Sequence, residues 1–180
     1  MNNQIAAKAY VEEALQAKRF AVLATEHDGQ PHASLVAITP IGGFRQLIFA
    51  TYRSTRKYRN LARNGKVAVL IDGQEVNSSG LKEGFVLTAL GQAEEISVEE
   101  NEVARRAHLA WHPDLESFVR SADCALVRVT VREYQVVGAI DDVIKRLHLM
   151  TFQAFRRGEN DIGDSPVNQQ ANQMIVAFAW

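Results

Sequence analysis

The sequence predicts a mainly β protein: a closed or nearly closed antiparallel barrel of about six strands with helices outside it. Three observations carry that prediction. Short apolar runs recur at intervals of about 8–13 residues, a spacing suited to an antiparallel meander. Gly, Pro, Asn and Asp stand between the runs, where tight turns need them. Helical periodicity falls in separate segments at the start, after the third run, after the fifth and after the last.

The elements follow in order. Over residues 5–18, Ile5, Ala6, Ala9, Val11, Ala14 and Leu15 are spaced for a helix. Residues 20–25 read as a strand, closed by the turn His27-Asp28-Gly29-Gln30, with 33–38 as its hairpin partner. Pro40, Gly42 and Gly43 make the next turn, and 47–52 is a third strand. A short helix over 55–63 stops at Asn64-Gly65. Residues 67–71 form a fourth strand, 72–83 a long polar loop and 85–93 a fifth strand. Ser97-Val98-Glu99-Glu100 has the form of a capping box, and the helix it opens ends near Trp111-His112-Pro113, because a proline disfavours helical conformation in the residue before it. A helical piece over 114–119 leads into 125–137, one long strand or two short ones. Residues 142–155 look helical, with Asp141-Asp142 as the cap, and 158–173 are polar. The apolar end, 174–180, requires cover from its own barrel or from a second subunit.

Composition bounds the function. A chain of 180 residues with 47% apolar and 23% charged side chains is a soluble globular protein with a sizeable core. Residues 1–140 are expected to form the barrel, and 141–180 a C-terminal helix and tail packed on the barrel or on a dimer partner. Net charge is −1 and the isoelectric point about 6.5, so no whole-molecule field draws the chain to nucleic acid or anionic lipid. The lone Cys124 excludes an internal disulfide and any cysteine-cluster metal site. No run of ~18 apolar residues suggests a membrane span. With no basic leader and apolar stretch at the start, the expected location is cytoplasmic.

One segment stands out electrostatically. Arg53, Arg56, Lys57, Arg59, Arg63 and Lys66 place six of the 20 Lys and Arg residues between positions 53 and 66, with no acid among them. Arg53, Arg56 and Lys57 fall at or just before the first helical turn, where the helix dipole disfavours cations by a few tenths of a kcal/mol each. That arrangement makes sense if an anion sits there, met by unpaired N–H groups, the Ser54 and Thr55 hydroxyls and the Arg56 and Lys57 charges. The competing readings are a solvated basic face and a helix tracking a nucleic-acid backbone. No stacking array of aromatics supports the latter.

The stretch from Gly29 to Val36, then Phe49-Ala50-Thr51, Ser54-Thr55-Arg56-Lys57 and Asn64 to Ile71, resembles the pyridoxamine-phosphate-oxidase-like family of FMN-binding split β-barrels. The similarity runs in unbroken order from about Phe20 to Ile96. It implies a homodimer with FMN at the subunit interface. It also implies that Ser34, Leu35 and Val36, with Thr39, line the isoalloxazine ring. Ala50 and Thr51 of the third strand, with Arg56 and Lys57, would hold the ribityl phosphate, and Ser54 or Thr55 would supply hydroxyls. Judged alone, Leu35 and Val36 also fit a core. The implied activity is a flavin-dependent oxidoreductase acting with a small-molecule substrate or electron donor. In the oxidases proper, basic residues stand where this chain has Ser34 and Thr39, and a glutamine falls near Val86, which weighs against pyridoxamine phosphate as substrate. A non-catalytic flavin carrier and a deazaflavin cofactor are the neighbouring alternatives.

Ala104 to Asp114, with Ser117, Phe118 and residues 123–128, is similar to the haem-utilisation branch of the same barrels, so haem is a further alternative cofactor. That branch uses a histidine in a C-terminal extension, and here no histidine follows His148. Among His27, His32, His108, His112 and His148, only His108 and His112 have the i, i+4 spacing of two metal ligands on one helical face. With no glutamate completing a zinc-protease pattern, no metal site is expected, and His112 reads as a helix cap or surface residue. His148 reads as an ordinary helix histidine, with haem ligation as its functional alternative. Cys124, at the start of an apolar strand, reads as an inert thiol.

Overall fold

In the computed structural model, the described residues are 2–73, 75–76, 82–137 and 145–148, all within one unit, Met1–Leu149. Expectations for 158–180, for Asp141-Asp142 and for the rest of the C-terminal segment lie outside the described residues.

Helix α1 (Asn2–Ala17) leads into β1 (Phe20–His27) and β2 (Gln30–Ala37). Asp28 and Gly29 have φ of 51° and 75°, the left-handed pair that a two-residue hairpin turn demands, which is why Asp-Gly stands there. Next come β3 (Thr39–Ile41), β4 (Gln46–Tyr52), α2 (Arg56–Arg63) and β5 (Lys66–Asp72). Two short strands, β6 (Glu75–Val76) and β7 (Lys82–Glu83), pair with each other inside the stretch expected to be only loop. Strand β8 (Val86–Glu95) precedes α3 (Val98–Trp111), a single 3₁₀ turn (Pro113–Leu115), α4 (Glu116–Val119), the long β9 (Cys124–Val137) and β10 (Lys145–His148). Ser97 caps α3 as its motif predicts, its hydroxyl accepting from the Glu100 N–H at 3.4 Å.

The main sheet runs β2-β1-β5-β8-β9-β4-β3, antiparallel throughout. Its two ends are consecutive in the chain: only Ile38 separates β2 from β3, so they are halves of one bent strand. The sheet therefore curls back on itself as a split barrel, its path running through seven strands where six were expected, because the corner at Ile38 divides β2 from β3. The segment over 125–137 is a single strand that pairs with both β4 and β8. Where a helix was expected over 142–155, residues 145–148 form a strand beside Glu133 to Val136 of β9. The far half of β9 extends past β4 and offers a free ladder edge, and strand pairing there overrides local helical preference. His148 is thus a strand residue.

Inside the barrel, Leu23, Leu47, Phe49, Val69, Leu87 and Val129 pack with Val11, Ala14 and Leu15 of α1. Ile48 and Leu126 face the other way and are covered by Ala104 of α3 and Val119 of α4, with Ile96. Strand β4 is therefore buried on both faces, which accounts for its unbroken apolar run. Strands β1, β2 and β5 also carry apolar residues outward, but here nothing among the described residues covers them. Phe20, Val22, Leu35 and Leu70 are 55%, 37%, 67% and 41% exposed. Val22 stands opposite Leu35 on one side and Leu70 on the other, so the three form a cross-strand row.

Candidate functional site

The junction between β4 and α2 is built by Thr55. Its extended backbone (φ −77°, ψ 155°) ends the strand, and its hydroxyl oxygen accepts from the Tyr58 N–H to cap the helix. The same oxygen donates to the Tyr52 carbonyl at 2.7 Å and lies 3.0 Å from the Thr51 hydroxyl. Thr51 and Thr55 are thereby held as a pair of hydroxyls at the helix entrance.

The six cations around this junction divide sharply. Arg53 donates to the carbonyls of Ala122 and Cys124, at 3.2 and 3.0 Å, and pairs with Glu95. Burial works to raise the Glu95 carboxyl, but hydrogen bonds from Tyr58 and Arg53 outweigh it and hold the group below its ordinary range. Arg59 donates to the Ser54 carbonyl at 2.6 Å, and Arg63 contacts His27. Ser54 itself donates to the Asp123 carboxylate at 3.0 Å. A segment without acids in sequence thus receives two from elsewhere in space, and these bind Arg53 and Ser54 into the fold. Arg56, Lys57 and Lys66 make no ion pair among the described residues. Of these, Arg56 and Lys57 occupy the first turn of α2, where backbone N–H groups also lack helical partners. Arg56 is exposed and Lys57 half-buried, and burial draws the Lys57 ammonium below its usual range. A partly desolvated cation without a counter-charge, at the positive end of a helix, is a site that an anion would stabilise.

A cleft of about 290 Å³ opens beside this junction. Thr51, Thr55 and Lys57 line it, together with Leu35 and Val36 of β2 and Ala50 of β4. Phe20, Tyr52, Leu115 and Phe118 add apolar wall. Six of the ten residues singled out in the sequence therefore converge on one cavity, drawn from two strands and a helix start. The other four do not line it. Arg56 is exposed in the adjoining turn, and Ser54 is tied to Asp123. Ser34 has a buried hydroxyl with no partner among the described residues. Thr39, 1% exposed, is hydrogen-bonded to His108.

His108 is the cleft residue that sequence reasoning did not place there. It is completely buried on α3 yet lines the cavity. Its Nδ1 lies 2.9 Å from the Thr39 hydroxyl, and its Nε2 is buried without a partner among the described residues. Burial, seconded by the neighbouring His112, brings its pKa down to about 4, so the ring is neutral near pH 7. His112 caps α3 as expected, its N–H donating to the His108 carbonyl at 2.9 Å, but it is buried and not a surface residue. Its Nε2 donates to the Ile38 carbonyl at 2.9 Å, and the two rings lie 4.8 Å apart. The i, i+4 spacing thus braces the bend between β2 and β3, and among the described residues no group of three His, Cys, Asp or Glu is placed to hold a metal. The signals for His108 in the sequence were that spacing and its place in the haem-utilisation-like stretch, and its partner Thr39 lies 69 residues away. Cys124 is half-buried, and burial raises its thiol, in keeping with an unreactive side chain.

The fold recurs in solved structures. The heme binding protein of Mycobacterium smegmatis is similar at 24% identity and a TM-score of 0.67, over 77% of this chain and 57% of that one. This chain thus spans less than two thirds of that neighbour's length. A FAD-binding protein from Mesorhizobium loti is similar at 16% identity and a TM-score of 0.60, over 73% of this chain and 94% of that one. A protein related to general stress protein 26, of the pyridoxinephosphate oxidase family in Clostridium acetobutylicum, is similar at 14% identity and a TM-score of 0.59, over 79% and 96%. At such identities the likeness is one of fold. No curated protein matches the chain. The family model described as pyridoxamine 5'-phosphate oxidase matches residues 7–138, well over half of the sequence, and on that match the chain belongs to the pyridoxamine 5'-phosphate oxidase family.

Proposed function

We propose that this protein binds FMN in the cleft between β2, β4 and α2 and acts as a flavin-dependent oxidoreductase on a small molecule. The observation that carries the reading is Lys57: a half-buried cation on the cavity wall, without an acidic partner among the described residues, beside two hydroxyls and a helix start. Those groups fit a doubly ionised phosphate, with Arg56 reaching it from the exposed side of the same turn. Leu35, Val36 and Ala50 would flank the planar ring. A bound flavin supplies the redox chemistry, accepting and releasing hydride or single electrons. The chain's part is to anchor the phosphate, orient the ring against β2 and exclude water through Phe20 and Phe118.

The same reading makes the protein a homodimer. Phe20 and Leu35 line the cleft yet are 55% and 67% exposed, and they continue into the uncovered row of Val22 and Leu70. A second copy laid over that row would cover the apolar face and complete the cavity.

Replacing Arg56 and Lys57 together by alanine tests the phosphate anchor. A charge-assisted contact contributes about 1.5–3 kcal/mol, so the double variant should bind FMN at least about tenfold more weakly in a fluorescence titration. Unchanged affinity refutes the assignment. The visible spectrum of the purified protein separates flavin from haem on the same barrel, a reading favoured by the M. smegmatis likeness, since haem gives a Soret band. Anaerobic reduction by NADH or NADPH then separates an enzyme from a flavin carrier.

A further inference from the structure

We propose that His108 is a ligand-contacting residue, whose Nε2 makes one hydrogen bond to an uncharged carbonyl or ring N–H on the edge of the flavin ring bound in the cleft. The inference rests on the flavin reading above and extends it from the phosphate to the ring. Three observations carry it. His108 is 0% exposed and nevertheless lines the cavity. Its ring cannot turn freely, because Nδ1 is held by the buried Thr39 hydroxyl at 2.9 Å and His112 packs 4.8 Å from its centre. Its Nε2 is buried and unpartnered among the described residues. A buried polar atom without a partner is costly and uncommon, and a ligand in the adjoining cavity is the partner the geometry offers.

The chemistry of that ligand group follows from the chemistry of the ring. An imidazole kept neutral by burial offers no charge to a phosphate, which leaves the anion to Lys57 and Arg56. In either tautomer Nε2 presents one uncharged position, an N–H or a lone pair, set by which way the Thr39 hydroxyl is turned. A flavin ring carries both complementary groups on its polar edge. The Thr39 contact employs only Nδ1, so the ring's second nitrogen is left for a group in the cavity.

The test compares the parent chain, His108→Leu and His108→Gln, each titrated with FMN and with riboflavin, which lacks the phosphate. If the inference holds, His108→Leu weakens both ligands about tenfold, whereas glutamine, which keeps a hydrogen-bonding group, stays within about threefold of the parent. In a parent chain labelled with ¹⁵N-histidine, the Nε2 resonance of His108 should shift on adding FMN, a readout that does not depend on the leucine variant folding. Equal binding by His108→Leu and the parent, equal losses in both variants, or an unmoved Nε2 resonance overturns the inference and leaves the flavin reading standing. A parent chain that binds neither ligand overturns both.

Discussion

Replacing His108 by glutamine should flatten the response of stability to acid. The folded chain holds this imidazole near a pKa of about 4, against an ordinary 6.5 when unfolded. Between those values the unfolded chain takes up a proton that the folded chain refuses, so stability falls as pH drops below 6.5 and the loss is complete near 4. At about 1.4 kcal/mol per pKa unit, the gap corresponds to about 3 kcal/mol in all. Between pH 7 and pH 5 the loss works out at about 2 kcal/mol, a large fraction of the stability of an ordinary domain. Urea unfolding of parent and His108→Gln at the two pH values measures it. The carboxylates and the remaining histidines contribute to both proteins and cancel in the difference. The parent should lose about 2 kcal/mol more than the variant, and equal losses would refute the account of a buried, neutral His108.

Three further outcomes follow from the packing and the surface. A Cβ at Gly91 would lie 2.5 Å from the Thr130 carbonyl oxygen and 2.9 Å from Val129 Cγ1, across the irregular step between β8 and β9. Gly91→Ala should therefore cost about 1–3 kcal/mol in urea unfolding, and a neutral result would mean the two strands part easily there. Tyr134 is fully buried, and its hydroxyl donates to the Phe44 carbonyl at 2.7 Å, so Tyr134→Phe should cost about 1–2 kcal/mol by leaving that carbonyl unmet. Leu35→Glu places a charge in the middle of the exposed Val22–Leu35–Leu70 row, and light scattering should show a monomer if a second copy covers it; a dimer that persists removes that surface from the interface.

The parts of this fold legible in the sequence are those written in local chemistry. Asp28-Gly29 announced its hairpin because few other pairs tolerate two consecutive positive φ angles, and Ser97 announced α3 because a hydroxyl three residues before a glutamate meets the first free N–H groups. What was hidden depended on partners distant in sequence. Local composition favoured a helix around Lys145, and only the free edge of β9 makes that segment a strand. Arg53 looked like a third anion ligand beside Arg56 and Lys57 until Glu95 and the carbonyls of Ala122 and Cys124 claimed it, leaving Arg56 and Lys57 without an ion pair among the described residues. Neither its spacing from His112 nor the resemblance around it put His108 in the cleft, since Thr39 and the cavity reach it only in the folded chain.

The corner at Ile38 has a kinetic consequence. Its N–H is taken by the Arg19 carbonyl at 2.9 Å, and its carbonyl by His112, 74 residues further along. The first bond forms as soon as the opening hairpin zips up. The second must wait for eight intervening elements, β3 to α3, and for a long stretch of chain to be gathered in, at an entropic cost that grows with its length. The corner thus joins a contact local in sequence to one that spans most of the barrel, and the distant half carries the larger loop-closure entropy.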